Sequence, residues 1–306
     1  KVRKTPEYQA FITEQVIPHY MRLGVGGWRL DVVDEYSGAF LEGITRAVRA
    51  CDPQAPVIGE VWEDASCKVA YGERKNYFCG GRLDGVTNYP LRDALIAFLT
   101  GRDTQTLALT LHAQYLRYPA AHRRSLMNML GSHDTVRIVN ALAGADGEGL
   151  SEAERAALRL TAAQRQSAVR AAYLFLCAQV GWPCLYYGDE TALEGCADPF
   201  CRRPYPWGSA DAELIGYFRR CAAMRREYGL GFYTSEYVLD APEGVFAAVY
   251  EQETRRFLVI LNGREENFSF EEKGLYKDIL DSVIYDTKLT VKEKSCAVFV
   301  RLAEKS

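Results

Sequence analysis

The stretch Gly26-Gly27-Trp28-Arg29-Leu30-Asp31-Val32 decides how the rest of the chain is read. It is a short apolar run opened by two glycines and ended by a carboxylate, and it reads as a buried strand. Side chains alternate between the two faces of a strand, so Arg29 and Asp31 share one face. A guanidinium beside an aspartate favours the ionised carboxylate at neutral pH. A strand-end carboxylate kept as an anion is what a nucleophilic or electrostatic catalyst needs. The same two residues also read as a structural ion pair, because buried charges are normally paired. The stretch alone leaves both readings open.

Working outward, the same rhythm repeats. Before the stretch, Thr5-Pro6-Glu7 starts a helix with a cap, a proline and an acid, and the helix runs to about Leu23 before stopping at Gly24. After it, residues 38–50 carry Phe40, Leu41, Ile44 and Val48 on one helical stripe. Pro56-Val57-Ile58-Gly59-Glu60-Val61 is a second apolar strand with an acid at its end. Residues 63–83 read as a long irregular loop, a kind often functional in compact domains. A third strand fits 85–88 and helices fit 90–99 and 104–117. A fourth strand at 125–130 runs into Gly131-Ser132-His133-Asp134. Residues 143–151 read as a surface loop and 161–180 as a long helix. A fifth strand at 183–187 leads to Gly188-Asp189-Glu190, a loop over 191–209 and a helix over 211–227.

Strands alternating with helices, with long loops after the strands, predict a parallel α/β sheet with helical crossovers over residues 1–230. Acids at strand C-terminal ends sit where barrels and doubly wound sheets place their chemistry. Five strands are found, whereas a closed (β/α)8 barrel needs eight. Beyond Gly229 the texture changes to short apolar runs such as 245–250, 257–262 and 297–300, and residues 231–306 read as an antiparallel β-domain.

Composition bounds the function. Of 306 residues, 48% are apolar and 25% charged, which is ordinary for a globular protein. The net charge of −3, with no basic block, argues against a nucleic-acid partner held by phosphate contacts. No apolar run reaches about 18 residues, so no membrane span is expected. Nine cysteines without regular spacing suggest free thiols in a reducing compartment, hence a cytoplasmic location. Cys196 and Cys201 lack a histidine neighbour and make no four-ligand zinc pattern. The chain opens on Lys1 with no signal-peptide pattern, and its start reads as an experimental or proteolytic boundary.

Three acids stand out: Asp31 after the first strand, Glu60 after the second and Asp134 after the fourth. On a parallel barrel these ends converge on one rim. Val57, Ile58, Val61 and Trp62 surround Glu60 in sequence, and an apolar wall raises a carboxyl pKa towards that of a general acid. Arg29 acts on Asp31 in the opposite sense. Two carboxylates in contrasting environments are the pattern for glycoside hydrolysis, with a covalent intermediate and retention where they stand about 5–5.5 Å apart.

Gly27-Trp28-Arg29-Leu30-Asp31, Gly59-Glu60-Val61-Trp62 and Gly131-Ser132-His133-Asp134 resemble, in order, three conserved segments of the α-amylase family, glycoside hydrolase family 13. Gly181-Trp182-Pro183 through Tyr186-Tyr187-Gly188-Asp189-Glu190 resembles the family's segment at the eighth barrel strand. Val86-Thr87-Asn88-Tyr89-Pro90 and Asp198-Pro199-Phe200-Cys201-Arg202-Arg203-Pro204-Tyr205-Pro206-Trp207 are similar to the neopullulanase, cyclomaltodextrinase and maltogenic amylase branch. The resemblance implies Asp31 as nucleophile, Glu60 as general acid/base and Asp134 as the stabiliser of the transition state. It implies that Arg29 orients Asp31 and that His133 binds the sugar beside it. Trp62 reads as a sugar-stacking platform or as a core tryptophan. Glu35 would line the acceptor side, while Asp34 and Glu63 depart from the residues commoner in relatives. Asp198 and Arg202 touch substrate or form a salt-bridged loop.

The family's first conserved segment, with its Asp and Asn-His pair, has no counterpart here. The resemblance therefore implies the C-terminal half of a larger enzyme, strands four to eight of a (β/α)8 TIM barrel followed by a small β-domain. Such a piece would expose parallel sheet edges, so it is expected to need the missing N-terminal half or a homodimer partner, and to be inactive alone. The implied substrate is an α-glucan oligosaccharide with α-1,4 or α-1,6 links: a maltooligosaccharide, cyclodextrin or pullulan. Hydrolysis and transglycosylation share the double displacement, and product analysis separates them. No cofactor is required by carboxylate chemistry; calcium, bound by many relatives, stays open because no oxygen-ligand cluster can be placed. The alternative is a non-catalytic amylase-fold interaction or carbohydrate-binding subunit, which the presence of all three acids disfavours. A nucleotide-binding reading of Gly24-Val25-Gly26-Gly27 fails because those glycines precede a strand instead of following one.

Overall fold

The structure is a computed structural model that describes residues 5–303, with the backbone alone described over 162–167. The described residues form two compact units, one of residues 5–90 with 113–128 and one of residues 91–112 with 129–303.

The first unit is built on parallel strands. Trp28–Leu30 pairs with Val57–Gly59 in the register Trp28↔Val57 to Leu30↔Gly59. Val57–Gly59 pairs in turn with Gly85–Val86, and Thr87 makes a parallel bridge to Met127. The expected first four strands are thus present but shorter, as Trp28–Leu30, Val57–Gly59, Gly85–Val86 and Met127–Met129, and the first three end just before a polar residue, Asp31, Glu60 and Thr87. Two glycines allow the close approaches. A Cβ on Gly85 would fall 1.9 Å from the Ser125 carbonyl oxygen, and one on Gly27 2.9 Å from the Pro56 ring. Helix Gly38–Cys51 is capped by Ser37, whose Oγ accepts from Phe40 N, and it buries Phe40, Leu41, Ile44 and Val48 as the stripe predicts.

The helix expected over 5–23 is present but not uniform. Pro6–Ala10 and Ile17–Arg22 are α-helical, and Phe11–Val16 between them is π-helical. Pro18 supplies the reason: its missing N–H and its ring cannot be fitted against the carbonyl four residues earlier, so the ladder widens ahead of it. The loop expected over 63–83 also contains a small hairpin, Val69–Ala70 with Glu73–Arg74.

In the second unit the fifth strand is Trp182–Cys184, and helices Ala162–Ala178 and Ala212–Tyr228 follow the expected places. Short helices Ile138–Leu142 and Glu152–Ala157 add to the reading. Six antiparallel strands form one sheet, ordered Ile284–Val291, Phe268–Asp278, Ser295–Arg301, Arg256–Asn262, Val245–Glu251 and Ser235–Val238. Both faces of its centre are buried. Phe246, Ala248, Tyr250, Val259 and Val298 join the cluster made with helix residues such as Phe175 and Phe218. Their alternates Val245, Ala247, Val249, Ile260 and Phe299 form a second cluster. That is why these strands read as unbroken apolar runs. Among the described residues, no helix is long and apolar enough to cross a membrane.

Candidate active site

Four of the predicted site residues come together in the first unit. The strand Trp28–Leu30 ends in a bend at Asp31, and Arg29 Nη1 lies 2.6 Å from Asp31 Oδ1. The same guanidinium reaches the neighbouring strand, where Nη2 lies 3.1 Å from Glu60 Oε1. The parallel register that sets Leu30 against Gly59 brings the two strand-end acids to one cation. Their exposures differ sharply: the Asp31 side chain is 68% exposed and the Glu60 side chain 3%. Glu60 Oε2 accepts from Val32 N at 2.8 Å, and Oε1 from Trp62 Nε1 at 3.2 Å.

These contacts correct the expected contrast between the two acids. Val57, Ile58 and Val61 are buried as the apolar wall requires. The Glu60 carboxylate nevertheless meets a guanidinium and two N–H donors, and it shares that guanidinium with Asp31. The reading of Arg29 and Asp31 as two buried groups is also corrected, because Asp31 opens to solvent.

Val32 follows Asp31 with φ 44 and ψ 54, a left-handed conformation unusual for a β-branched residue. This turn aims its N–H at Glu60. Trp62 stacks on Tyr89 with ring centroids 4.0 Å apart and planes 5° apart, and it remains 44% exposed. One indole face is therefore covered by Tyr89, so Trp62 is neither a core tryptophan nor a ring free on both faces. Glu35 lies exposed on the 3-10 turn Val33–Glu35.

Asp34 and Glu63 belong to a network that the sequence reading missed. Lys68 Nζ lies 3.1 Å from Asp34 Oδ2 and also pairs with Glu63, while Tyr77 Oη donates to Asp34. Burial acts to lower the Lys68 pKa, but the hydrogen bonds from its ammonium to Glu63 and Asp34 outweigh it and the pKa is raised. Burial, then the Asp34 carboxylate, pushes the Tyr77 hydroxyl well above its ordinary value. Neither partner sits at a distinctive sequence spacing from Asp34.

The other four predicted residues come together in the second unit. His133 Nε2 lies 3.0 Å from Asp134 Oδ2, and Arg202 Nη2 lies 3.1 Å from Asp134 Oδ1. Arg202 Nε also donates to Asp198, so the salt-bridged loop is present and reaches Asp134 as well. The turn is held by Ser132 Oγ, which accepts from Asp134 N at 3.2 Å, and by Thr135 Oγ1, which accepts from Ser132 N at 2.9 Å. Cys201 Sγ donates to the His133 carbonyl at 3.1 Å. All nine cysteines are free thiols. Among the described residues no cluster of three or more His, Cys, Asp or Glu side chains is arranged to hold a metal ion.

The model of the α-amylase catalytic domain matches residues 3–217. The cyclomaltodextrinase of Thermoanaerobacter pseudethanolicus is 29% identical over 283 residues, 90% of this chain and 44% of that protein. Neopullulanase 2 of Thermoactinomyces vulgaris is 29% identical over 274 residues, 86% of this chain and 41% of that protein. The chain thus spans less than half the length of these curated relatives. Among solved structures, the α-amylase of Geobacillus thermoleovorans complexed with acarbose superposes with a TM-score of 0.81 at 20% identity, over 99% of this chain and 66% of that one. These likenesses give the fold as part of a (β/α)8 barrel with a C-terminal β-domain. With the catalytic-domain match covering residues 3–217, the chain belongs to the α-amylase family.

Proposed function

We propose that this chain carries the nucleophile and the general acid/base of a retaining α-glucan hydrolase. The observation that carries the reading is the single guanidinium of Arg29 holding both Asp31 and Glu60 at the ends of adjacent parallel strands. Asp31, exposed and fixed by Arg29, attacks the anomeric carbon. Glu60 protonates the departing glycosidic oxygen, and after the leaving sugar departs it deprotonates the water or sugar hydroxyl that releases the glycosyl group from Asp31. Asp134, with His133 and Arg202 beside it, stabilises the oxocarbenium-like charge. Trp62 offers its open face to the sugar on the leaving-group side.

The substrate class follows the relatives' names: α-1,4 and α-1,6 glucosidic bonds in maltooligosaccharides, cyclodextrins or pullulan, with water or a second sugar as acceptor. The steps use carboxylates alone and draw on no cofactor. In this reading residues 1–230 are strands four to eight of the barrel and 231–306 the β-domain. The chain alone is silent, and turnover needs the remaining barrel strands from an N-terminal half.

The test is release of nitrophenol from a nitrophenyl maltoside by the chain alone and by the chain joined to an upstream half-barrel. Turnover is expected only from the joined protein. It should fall by about 10²–10⁴-fold in Glu60→Gln, the usual weight of a general acid. Turnover by the joined protein that survives Glu60→Gln and Asp31→Asn would sink the reading.

A further inference from the structure

We propose that the buried pair Arg137 and Asp189 is the positioning clamp of the Asp134 cluster in the second unit, fixing the backbone from which Asp134 and Arg202 project without touching substrate. The inference rests on the reading of Asp134 and Arg202 as sugar-contacting groups.

Both side chains are fully buried, with Arg137 Nη1 3.5 Å from Asp189 Oδ1. Arg137 ties down three points of the loop 187–201, a stretch distant from it in sequence. Its backbone N donates to Gly195 O at 2.9 Å, Nε donates to Cys201 O at 2.8 Å, and Nη1 donates to Tyr187 O. Its guanidinium lies 4.1 Å from the Tyr186 ring centroid and 4.5 Å from that of Tyr187. Cys201, whose carbonyl Arg137 holds, passes the constraint on by donating its thiol to His133 O. Arg202 is the next residue and Asp134 follows His133, so both polar side chains leave backbone that the clamp holds.

Arg92 completes the support from its own helix. Its Nε donates to Leu130 O at 2.9 Å and its Nη2 to Val136 O at 3.2 Å, at the two ends of the turn that carries His133 and Asp134. Asp189 lies beneath this turn, where a Cβ on Gly131 would come within 3.9 Å of its Oδ2. A guanidinium with five fixed donors suits this task, whereas a lysine could not fork to several carbonyls.

The arrangement carries a pH dependence. Burial raises the Asp189 pKa to about 7 against the pull of Arg137. The other charged or titratable groups facing it are Glu190, which raises it further, Arg92, which lowers it, and Cys184. A raised aspartate pKa means that the closed clamp binds a proton that the hydrated, opened one releases. The closed state is therefore favoured in acid, and that preference is lost as pH rises through about 7.

Trypsin reads the clamp directly. Arg202 is exposed and the following Arg203–Pro204 bond resists trypsin, so cleavage in this loop reports Arg202–Arg203, and cleavage after Arg74 in the first unit's exposed hairpin is the internal reference. In Arg137→Met the ratio of Arg202 to Arg74 cleavage should rise by about tenfold or more, as a local opening does. An unchanged ratio, or both sites rising together, would overturn the clamp. In case Arg137→Met does not fold, Asp189→Asn gives a second reading. The wild-type ratio should climb about tenfold between about pH 6 and about pH 8, and the variant's should stay flat; identical profiles would overturn the proposal. Added maltoheptaose separates the two ideas. Protection of Arg202 in the chain joined to the upstream half-barrel supports the glucan reading, and its absence there with the clamp ratios intact leaves the clamp standing while the glucan reading fails.

Discussion

Replacing Arg29 by Met removes the cation from between two carboxylates, one exposed and one almost sealed. Asp31 is well solvated and loses little, because an exposed ion pair is worth at most about 1 kcal/mol. Glu60 is 3% exposed and keeps only its two N–H donors, so the expected cost is about 2 kcal/mol, read as a lower urea midpoint. A change within error would show that Val32 N and Trp62 Nε1 satisfy the carboxylate by themselves. Val32 gives a prediction of the opposite sign. Its φ of 44 costs a β-branched residue about 1–2 kcal/mol, and its side chain is 40% exposed, so little burial is at stake. Val32→Asn, which tolerates this conformation, should raise the melting midpoint by about 1 kcal/mol of stability. A lower midpoint would mean that the valyl packing outweighs the strain. At this scale the sequence was a partial guide. Period-2 alternation put Arg29 beside Asp31, but the reach to Glu60 depends on the register between two strands, which no local pattern encodes. Arg137 and Asp189 lie 52 residues apart in the chain and carry no mutual signal.

The elements were legible where their periodicity was long. Helix Gly38–Cys51 and the five strand positions appear because apolar stripes and runs are set by burial, and burial leaves its mark on composition. Ile138–Leu142 and Glu152–Ala157 are too short to show a period. The second did carry a sign, Ser151-Glu152-Ala153-Glu154, which forms a reciprocal capping box in the structure. The π-helical Phe11–Val16 could have been foreseen from Pro18 in a helical interior. The six-stranded sheet makes a sharper test of its packing. Phe246 faces the helix-bearing cluster and Ile260 the opposite one, and both are at most 3% exposed. Phe246→Ala should cost about 3–5 kcal/mol and Ile260→Ala about 2–5 kcal/mol in denaturant titrations. A sheet with one solvated face would show only one of these losses.

For the molecule as a whole, the question is what the exposed apolar surface of the first unit is for. Trp28–Leu30 lies at the edge of its three-stranded sheet, paired through Val57–Gly59 alone in the sheet order. An edge strand presents backbone N–H and C=O groups that can pair with further chain. The helical segment ahead of it leaves Phe11 49%, Tyr20 48% and Leu23 70% exposed. Charge offers little protection against association, because the net charge is only −3. An open edge beside exposed aromatic side chains is a template for pairing with more chain. The sequence foretold this surface only through the resemblance, because a run such as 26–32 looks the same in an edge strand as in a central one. The expected outcome in multi-angle light scattering is a dimer or larger species for the chain alone, turning into a defined one-to-one complex when the upstream half-barrel is supplied. Asp and Lys placed at Phe11 and Leu23 should shift the free chain towards monomer and weaken that complex together. A clean, stable monomer over about a hundredfold range of concentration would show that the edge is protected within the chain itself, and the requirement for a partner would fall with it.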